Sequence, residues 1–321
     1  MKNIIVTGGA GFIGSNLVKA LNEKGYENII IVDHLADNRK RNNLAGRKYV
    51  RYYDKKEFLT LIERGEDFKT DVVFHLGACS DTTETNEDYM ISNNTVYSQK
   101  LFEYCIRGKA RLIYASSAAT YGDGAQGYSD DVFELKPLNL YGYSKHLFDK
   151  WVLSTISRPP QCVGLKFFNV YGPNEYHKDK MASVIFHGYT QVKKEGKIKL
   201  FKSYRKDFKD GQQKRDFIYV KDVIKICLFF LENGGINGIF NVGTGKARSF
   251  LDLANSVFKS LNKQPQIKFI DMPESLKDKY QYFTEAPMNK LRQIGYKEKF
   301  YELEIGIEDY VKNYLAKLEI F

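Results

Sequence analysis

Met1-Lys2-Asn3-Ile4-Ile5-Val6-Thr7-Gly8-Gly9-Ala10-Gly11-Phe12-Ile13-Gly14 is a short apolar run that breaks into glycines, and a helical pattern from Asn16 to Leu21 follows it. The order is strand, tight turn, helix. Gly8, Gly11 and Gly14 fall at i, i+3 and i+6. Glycine at the turn tolerates positive φ, and its missing side chain lets a pyrophosphate approach the backbone. The helix N-terminus then directs free N–H groups and the positive end of its dipole at that phosphate. Glycine spacing alone is a weak signal, because many strand-to-helix turns use glycine. Here the strand before and the helix after supply the context that a dinucleotide-binding turn requires.

Ile29-Ile30-Ile31-Val32 reads as a second buried strand, ending at Asp33. An acidic residue about 20 positions after the glycines accepts hydrogen bonds from the adenine ribose 2′-OH, which favours NAD. Arg39-Lys40-Arg41 and Lys55 pull the other way, since cations there neutralise a 2′-phosphate and favour NADP. The bland alternative for Arg39–Arg41 is a solvated loop. On these residues alone both cofactors stay open. Asp71–Ala78 reads as a third buried strand running into a small-residue turn, and Arg111–Ser117 as another that ends in Ser-Ser-Ala-Ala-Thr-Tyr-Gly. Val163–Phe168 reads as the last central strand. Helical stretches such as Tyr97–Ile106 alternate with these strands. The pattern predicts an α/β fold, a doubly wound parallel sheet of the Rossmann type with helices on both faces. Ligands bind such sheets beyond the carboxyl ends of the strands, where these turns lie.

The 321 residues are 43% hydrophobic and 27% charged, which fits a globular chain with ample length for a buried core. No apolar run reaches the ~18 residues of a transmembrane helix. The chain opens directly on a core strand, leaving no room for a signal peptide, so a cytoplasmic protein without a membrane partner is expected. Cys79, Cys105, Cys162 and Cys227 lie far apart with no C-x-x-C pair, which points to reduced thiols rather than disulfides or a metal site. The net charge of +10 comes from lysines scattered over the chain, dense only at Arg39–Arg41 and Tyr204–Arg215. It reads as general lysine richness plus a site for phosphorylated ligands. No recognised nucleic-acid module accompanies it, so no nucleic-acid partner is expected.

Tyr141-Gly142-Tyr143-Ser144-Lys145 opens a helix through Trp151. Tyr141 and Lys145, four apart, share one helix face. A nearby ammonium favours the phenolate and lowers a phenol's pKa, which turns a poor base into a usable one. A tyrosine and a lysine on an ordinary amphipathic helix are the plain alternative. Ser117 and the upstream glycine turn favour the catalytic reading.

Thr7–Gly14, the Ser116-Ser117 strand end and Tyr141-x-x-x-Lys145 together resemble the extended short-chain dehydrogenase/reductase family, whose members modify nucleotide sugars. The resemblance implies that Ser117 orients the substrate hydroxyl and that Tyr141 is the general base or acid. Lys145 would hold the nicotinamide ribose and tune Tyr141. Phe168–Pro173, Lys214–Val223 and Phe240–Gly245 resemble later segments of the same family. Asn169 would bond a sugar-nucleotide phosphate. Arg215, a planar cation, suits a diphosphate, with a salt bridge to Asp216 or Asp222 as the plain alternative.

Nearly the whole chain is similar to one subfamily, the ADP-glycero-manno-heptose 6-epimerases. Gly77–Glu84, Lys136–Asn139, Leu147-Phe148-Asp149 and His177–His187 carry that likeness. It implies inversion at C6 of an ADP-heptose for the lipopolysaccharide inner core. The C6 proton has no adjacent carbonyl, so direct deprotonation is implausible. A hydride passed to a nicotinamide and returned to the other face of a transient ketone inverts the centre without net redox. By the same likeness the cofactor is NADP, with NAD the alternative. Its implied contacts are Gly8, Gly11, Phe12, Ile13, Gly14, Asp33, His34, Lys40, Lys55, Leu76, Gly77, Ala78, Cys79, Ser80, Asn93, Lys145 and Lys178. Tyr141 and Lys178 would be the two acid/base groups, Lys180 being the rival for the second. Implied substrate contacts are Ser117, Asn169, Lys180, His187, Phe201, Lys202, Ser203, Tyr204, Arg215 and Tyr280. The subfamily also implies a homo-oligomer, a pentamer-like ring.

Residues 1–168 are expected to form the cofactor domain, with 216–240 returning to it. Residues 169–215 and 241–321 are expected to form mainly a smaller α/β substrate lobe. A UDP-hexose 4-epimerase is the nearest rival function. A 4,6-dehydratase needs a carboxylate pair just after the active Ser or Thr, where Ala118 and Ala119 stand. A non-catalytic dinucleotide sensor on the same fold would have no use for Ser117, Tyr141 and Lys145.

Overall fold

The computed structural model describes residues 2–35, 38–132, 134–277 and 280–318; Met1, at the head of the quoted stretch, lies outside them. The first strands are β1 (Ile4–Thr7), β2 (Ile29–Asp33), β3 (Arg51–Asp54), β4 (Val72–His75), β5 (Arg111–Ser117) and β6 (Cys162–Phe167). They are followed by β7 (Asn169–Tyr171), β8 (Ile198–Phe201), β9 (Lys214–Tyr219), β10 (Gly238–Val242), β11 (Ala247–Ser249) and β12 (Ile267–Ile270). The main sheet has seven parallel strands in the order β10-β6-β5-β4-β1-β2-β3. Its register sets Thr7 beside Val32 and His75, so the glycine turn leaves the sheet between two neighbouring strand ends.

The helices begin in chain order with α1 (Phe12–Glu23), α2 (Asn38–Asn42), α3 (Lys55–Glu63), α4 (Glu87–Met90) and α5 (Tyr97–Arg107). Next come α6 (Leu140–Ser154), α7 (Val184–Glu195), α8 (Val220–Glu232) and α9 (Phe250–Ser260). The strands are apolar at successive positions because both faces are covered. Ile4, Val6, Ile31 and Phe74 pack with Leu17 and Leu21 of α1 and Phe230 of α8. Ile5, Val73 and Leu112 face the opposite layer, where Phe58 and Ile62 of α3, Phe102 of α5 and Val152 of α6 meet. Alternate side chains thus stabilise two layers from one short strand.

The structure adds to the sequence reading at three places. Arg51-Tyr52-Tyr53-Asp54 forms the edge strand β3; only Tyr53 of it is buried, so no apolar run marks it. β6 is the last strand inside the sheet on that side, and β10 forms the edge beyond it, with Gly238 opposite Val163. Residues 216–219 belong to β9 in a small sheet ordered β11-β9-β7, so the chain returns to the main sheet only through α8 and β10. β8 and β12 form a separate parallel pair. Among the described residues no helix is long and apolar enough to cross a membrane. All four cysteines are free thiols, and Cys105, Cys162 and Cys227 are buried.

Candidate active site

The turn after β1 is built from backbone contacts that exclude side chains. The Gly8 N–H donates to the Val32 carbonyl (2.8 Å) and the Gly11 N–H to the Gly8 carbonyl (2.9 Å). Gly8 sits at φ +68°, and a Cβ on Gly14 would stand 2.1 Å from the Gly8 oxygen. Gly11 caps α1 without a side-chain hydrogen bond. The first N–H groups of the helix therefore meet no capping side chain, the arrangement that receives a phosphate. The cradle fits the dinucleotide that the sequence predicts.

Beside this turn a cavity of about 360 Å³ opens over the ends of β1, β2 and β4, lined by Asp33, His34, Lys40, Lys55 and Asn93 among others. Asp33 is only 7% exposed and already engaged. It accepts from the Ala10 N–H (2.9 Å) and the His34 N–H (2.7 Å) and pairs with the Lys40 ammonium. Lys55 donates to Asn93 Oδ1 (2.6 Å), and burial pulls its pKa below the ordinary lysine value. Lys40 thus neutralises Asp33, while the His34 ring pairs with Asp54 (3.0 Å). Arg39–Arg41 are not a solvated loop: they lie in α2, and Arg39 clamps Asp179 through two bonds of 2.6 and 2.9 Å.

The small-residue loop Gly77–Ser80 forms the next wall. Asn94 holds it, accepting from the Cys79 N–H (2.8 Å) and donating to the Cys79 carbonyl (2.9 Å) and to Ser144 Oγ (3.0 Å). Asn93 and Asn94 lie on a π-helical turn, Ile91–Val96, a type of irregularity frequent at functional sites. The extra residue per turn lets neighbouring asparagines serve Lys55 and the loop separately. Beneath the loop, His75 bridges Thr7 Oγ1 and Ser98 Oγ, both at 2.7 Å. Burial drives its pKa to about 3, so it is neutral. Neither Asn94 nor His75 was legible as a site residue, since both act through partners distant in sequence.

A second cavity, of about 580 Å³, adjoins the first and reaches from Gly8–Gly14 and Leu76 to Ser117, Tyr141, Lys145, Lys178 and Lys180. Phe167, Phe168, Val170 and Met181, which the sequence did not single out, line it too. Ser117 ends β5, and its Oγ accepts from the Ala119 N–H (3.1 Å), starting a 3₁₀ turn over Ala118–Tyr121. Asn139 caps α6 by accepting from the Gly142 N–H (2.8 Å), which fixes Tyr141 in the first helical turn. The Tyr141 pKa is raised rather than lowered: burial dominates, and the hydrogen bond with Ser117 opposes it. The Lys145 ammonium donates to the Ala115 carbonyl (2.9 Å), and burial brings its pKa down to about 8 with Asp149 opposing. Helical spacing correctly places the two residues on one face but says nothing of the desolvation that sets their pKa values.

Lys178 and Lys180 flank Asp179, which is held at φ +45° and ψ −123°, a strained backbone for a residue with a side chain. The kink separates the two lysines. Lys178 is half-buried, with its ammonium 5.5 Å from the Phe12 ring centre, and burial lowers its pKa against the pull of Glu175. Lys180 is 68% exposed and reaches Thr83 Oγ1 (2.9 Å) and Asp81 (3.5 Å).

The remaining expected substrate contacts do not line this cavity. Arg215, buried on β9, packs its guanidinium 5.1 Å from the Tyr280 ring, which in turn meets Phe201 edge-on at 6.2 Å. Among the described residues Arg215 forms no ion pair with Asp216 or Asp222, which bond elsewhere. Asp216 accepts from Thr244 N (2.7 Å), Gly245 N (2.9 Å) and Ala286 N (3.1 Å), and Asp222 from Tyr301 N (2.7 Å). Burial lowers the Arg215 pKa. Lys202 and Tyr204 both bond Asp271, at 3.1 and 3.0 Å, and the Ser203 N–H donates to Asp210 (2.7 Å). Asn169 lies on β7 between the cavity-lining Phe168 and Val170. His187 lies in the first turns of α7, its ring 5.9 Å from that of Phe186.

Residues 4–243 match the model of the NAD dependent epimerase/dehydratase family. The chain is 52% identical over 321 residues, 99% of each protein, to an ADP-L-glycero-D-manno-heptose-6-epimerase of Nitratidesulfovibrio vulgaris. It is also 52% identical to a protein of that name from Fusobacterium nucleatum, covering 98% of each. A crystal structure of the Helicobacter pylori ADP-L-glycero-D-manno-heptose-6-epimerase superposes with a TM-score of 0.82 at 30% identity, covering 98% of this chain and 96% of that one. The Thermus thermophilus UDP-glucose 4-epimerase in complex with NAD gives a TM-score of 0.80 at 26% identity, over 98% and 99% of the two chains. With the glycine cradle, the Ser117–Tyr141–Lys145 cluster and matches over nearly its whole length, the chain belongs to the NAD dependent epimerase/dehydratase family.

Proposed function

We propose that the protein interconverts ADP-D-glycero-D-manno-heptose and ADP-L-glycero-D-manno-heptose by inverting C6, with a bound nicotinamide dinucleotide and no net redox change. The observation that carries this reading is the convergence of Ser117, Tyr141, Lys145 and Lys178 in one cavity that opens onto the glycine cradle. The sugar rests on the 52% identity to relatives named for ADP-heptose. UDP-sugar epimerases share the fold at a similar TM-score, so architecture alone does not choose between C6 of a heptose and C4 of a hexose.

The chemistry follows from the carbon involved. C6 carries no acidic proton, and a base alone does not invert it. The dinucleotide, when bound, supplies hydride acceptance and return at C6, through a 6-keto sugar. Gly8, Gly11 and Gly14 would admit its pyrophosphate to the backbone, and Lys145 would hold its nicotinamide ribose. Ser117 would orient the C6 hydroxyl, and Tyr141 would take the proton from that oxygen as the ketone forms, acting as the phenolate, which burial disfavours and the neighbouring Lys145 ammonium favours. The hydroxyl points to opposite sides in the two epimers, so a second proton donor serves the other orientation. Lys178 fills that role better than Lys180, because it is half-buried in the cavity with its pKa lowered by burial, whereas Lys180 is exposed and paired with Asp81. Lys178→Met is expected to lower kcat for C6 inversion about 100-fold, within the usual range for one acid/base group. Lys180→Met is expected to stay within about threefold, as an exposed ion pair contributes little. Steady-state rates of the two variants decide; the reverse order moves the role to Lys180.

NADP is the cofactor we infer. Asp33 already accepts from two backbone N–H groups and Lys40, while Lys40 and Lys55 bring positive charge to the same cavity and His34 lines it. That set suits a 2′-phosphate. Lys40→Ala and Lys55→Ala are each expected to weaken NADP binding about 10- to 100-fold, the value of one charge-assisted hydrogen bond, with NAD nearly unaffected. Fluorescence titration with NADPH and NADH measures the difference. Equal losses for both dinucleotides would favour NAD.

A further inference from the structure

We infer that Asp149, which lies outside the cavity, is a positioning residue for the proposed reaction: its buried carboxylate holds the Ser117 strand end and the Lys145 ammonium in working register. The inference rests on the Lys145 and Ser117 roles proposed above. Asp149 follows Lys145 by four residues on α6, so the two share a face of the helix. It is 2% exposed. Its Oδ2 accepts from Ser116 Oγ (2.6 Å) and from the Lys166 ammonium (2.9 Å), and its Oδ1 from the Tyr114 hydroxyl (3.0 Å). Lys166, 1% exposed, donates further to Thr120 Oγ1 (2.7 Å) and lies 4.9 Å from the Tyr121 ring centre. Thr120 in turn donates to the Ser117 carbonyl (2.8 Å).

One carboxylate therefore joins α6, β5 and β6 behind the reacting residues. Ser117 is flanked by Ser116 and Thr120, both tied into this network. Desolvating two opposite charges is unfavourable unless their remaining hydrogen-bonding capacity is met, and an apolar pair of similar volume often serves stability as well. An ion pair at this depth thus points to a task beyond packing. The electrostatic surroundings of Lys145 say which task. Tyr141 and Asp149 stand on its own helix, His75 on β4, Tyr114 on β5 and Lys166 on β6, while Cys79 and Lys178 line the same cavity. His75 is neutral and Lys166 is a cation, so among the described residues Asp149 is the carboxylate that opposes the loss of charge on Lys145.

The test uses the full chain in three forms: unaltered, Asp149→Asn, and Asp149→Asn with Lys166→Met. Asparagine keeps the shape and removes the charge. The double variant avoids leaving a buried ammonium unpaired and carries the test if the single variant does not fold. The readouts are the pH dependence of NADPH affinity, by fluorescence, and of kcat for ADP-heptose. The unaltered protein is expected to show a basic limb near pH 8 in NADPH affinity, the titration of Lys145. Loss of the neighbouring charge is expected to move that limb down by about one pH unit in Asp149→Asn and by less in the double variant, where the repulsion from Lys166 is lost as well. Folded variants whose activity falls while the limb stays in place would reduce Asp149 to a structural role and overturn the inference, leaving the proposed function standing. An unaltered protein with no basic limb would overturn the Lys145 assignment and the inference together. Loss of heptose turnover in all three forms with the limb shifting as expected would instead sink the substrate and keep the inference.

Discussion

Tyr141→Phe is expected to lower C6 inversion by roughly 10²- to 10⁴-fold while dinucleotide affinity changes little. The substitution deletes one oxygen atom from a side chain whose ring stays wedged in the first turn of α6. Tyr141 lines the cavity shared with Ser117, Lys145 and Lys178, and the nearby Ser117 side chain favours its charged form. Without the phenol oxygen the C6 oxygen has no partner to exchange its proton with in one of the two sugar orientations. The cradle at Gly8–Gly14 lies on other elements and is untouched. Turnover by NMR, with dinucleotide binding measured in parallel, checks the result. A variant that keeps most of its turnover would transfer the acid/base role to Lys178. A protein that only senses its dinucleotide would show no turnover to lose.

Gly14→Ala is expected to abolish dinucleotide binding and to lower the melting temperature by several degrees. The added Cβ would stand 2.1 Å from the Gly8 oxygen, 2.8 Å from the Gly8 carbonyl carbon and 2.9 Å from Gly9 Cα. All three are backbone atoms, so no flexible side chain can swing away. Either α1 retreats or the turn opens, and each displaces the N–H groups that receive the pyrophosphate. Overpacking of this kind costs about 1–3 kcal/mol, and a chain of this size loses about 2–4 °C per kcal/mol. Thermal denaturation and NADPH titration of the variant measure both effects. An unshifted melting temperature with intact binding would mean that α1 does not pack against the turn as closely as described.

What could be read from the sequence was local. The Gly8–Gly14 turn, the small residues after β4 and the Tyr141–Lys145 spacing each lie within a few residues, and their physics is set by the chain itself. What escaped depended on burial or on partners far along the chain. The edge strand β3 buries only Tyr53, so no periodicity announces it. The direction of the Tyr141 pKa follows from desolvation, which spacing does not encode. Arg39 finds Asp179 across 140 residues, and Asp33 is neutralised by Lys40 only because α2 folds back over it. The sequence suggests a diphosphate contact for Arg215, with a salt bridge to Asp216 or Asp222 as the alternative; it packs against Tyr280 and Phe250 and does not line the main cavity.

The most direct measurement is incubation of the purified protein with ADP-D-glycero-D-manno-heptose and NADP in D₂O, following C6 by NMR. A hydride route predicts a mixture of the two C6 epimers with protium retained at C6. No interconversion, or deuterium appearing at C6, would contradict it.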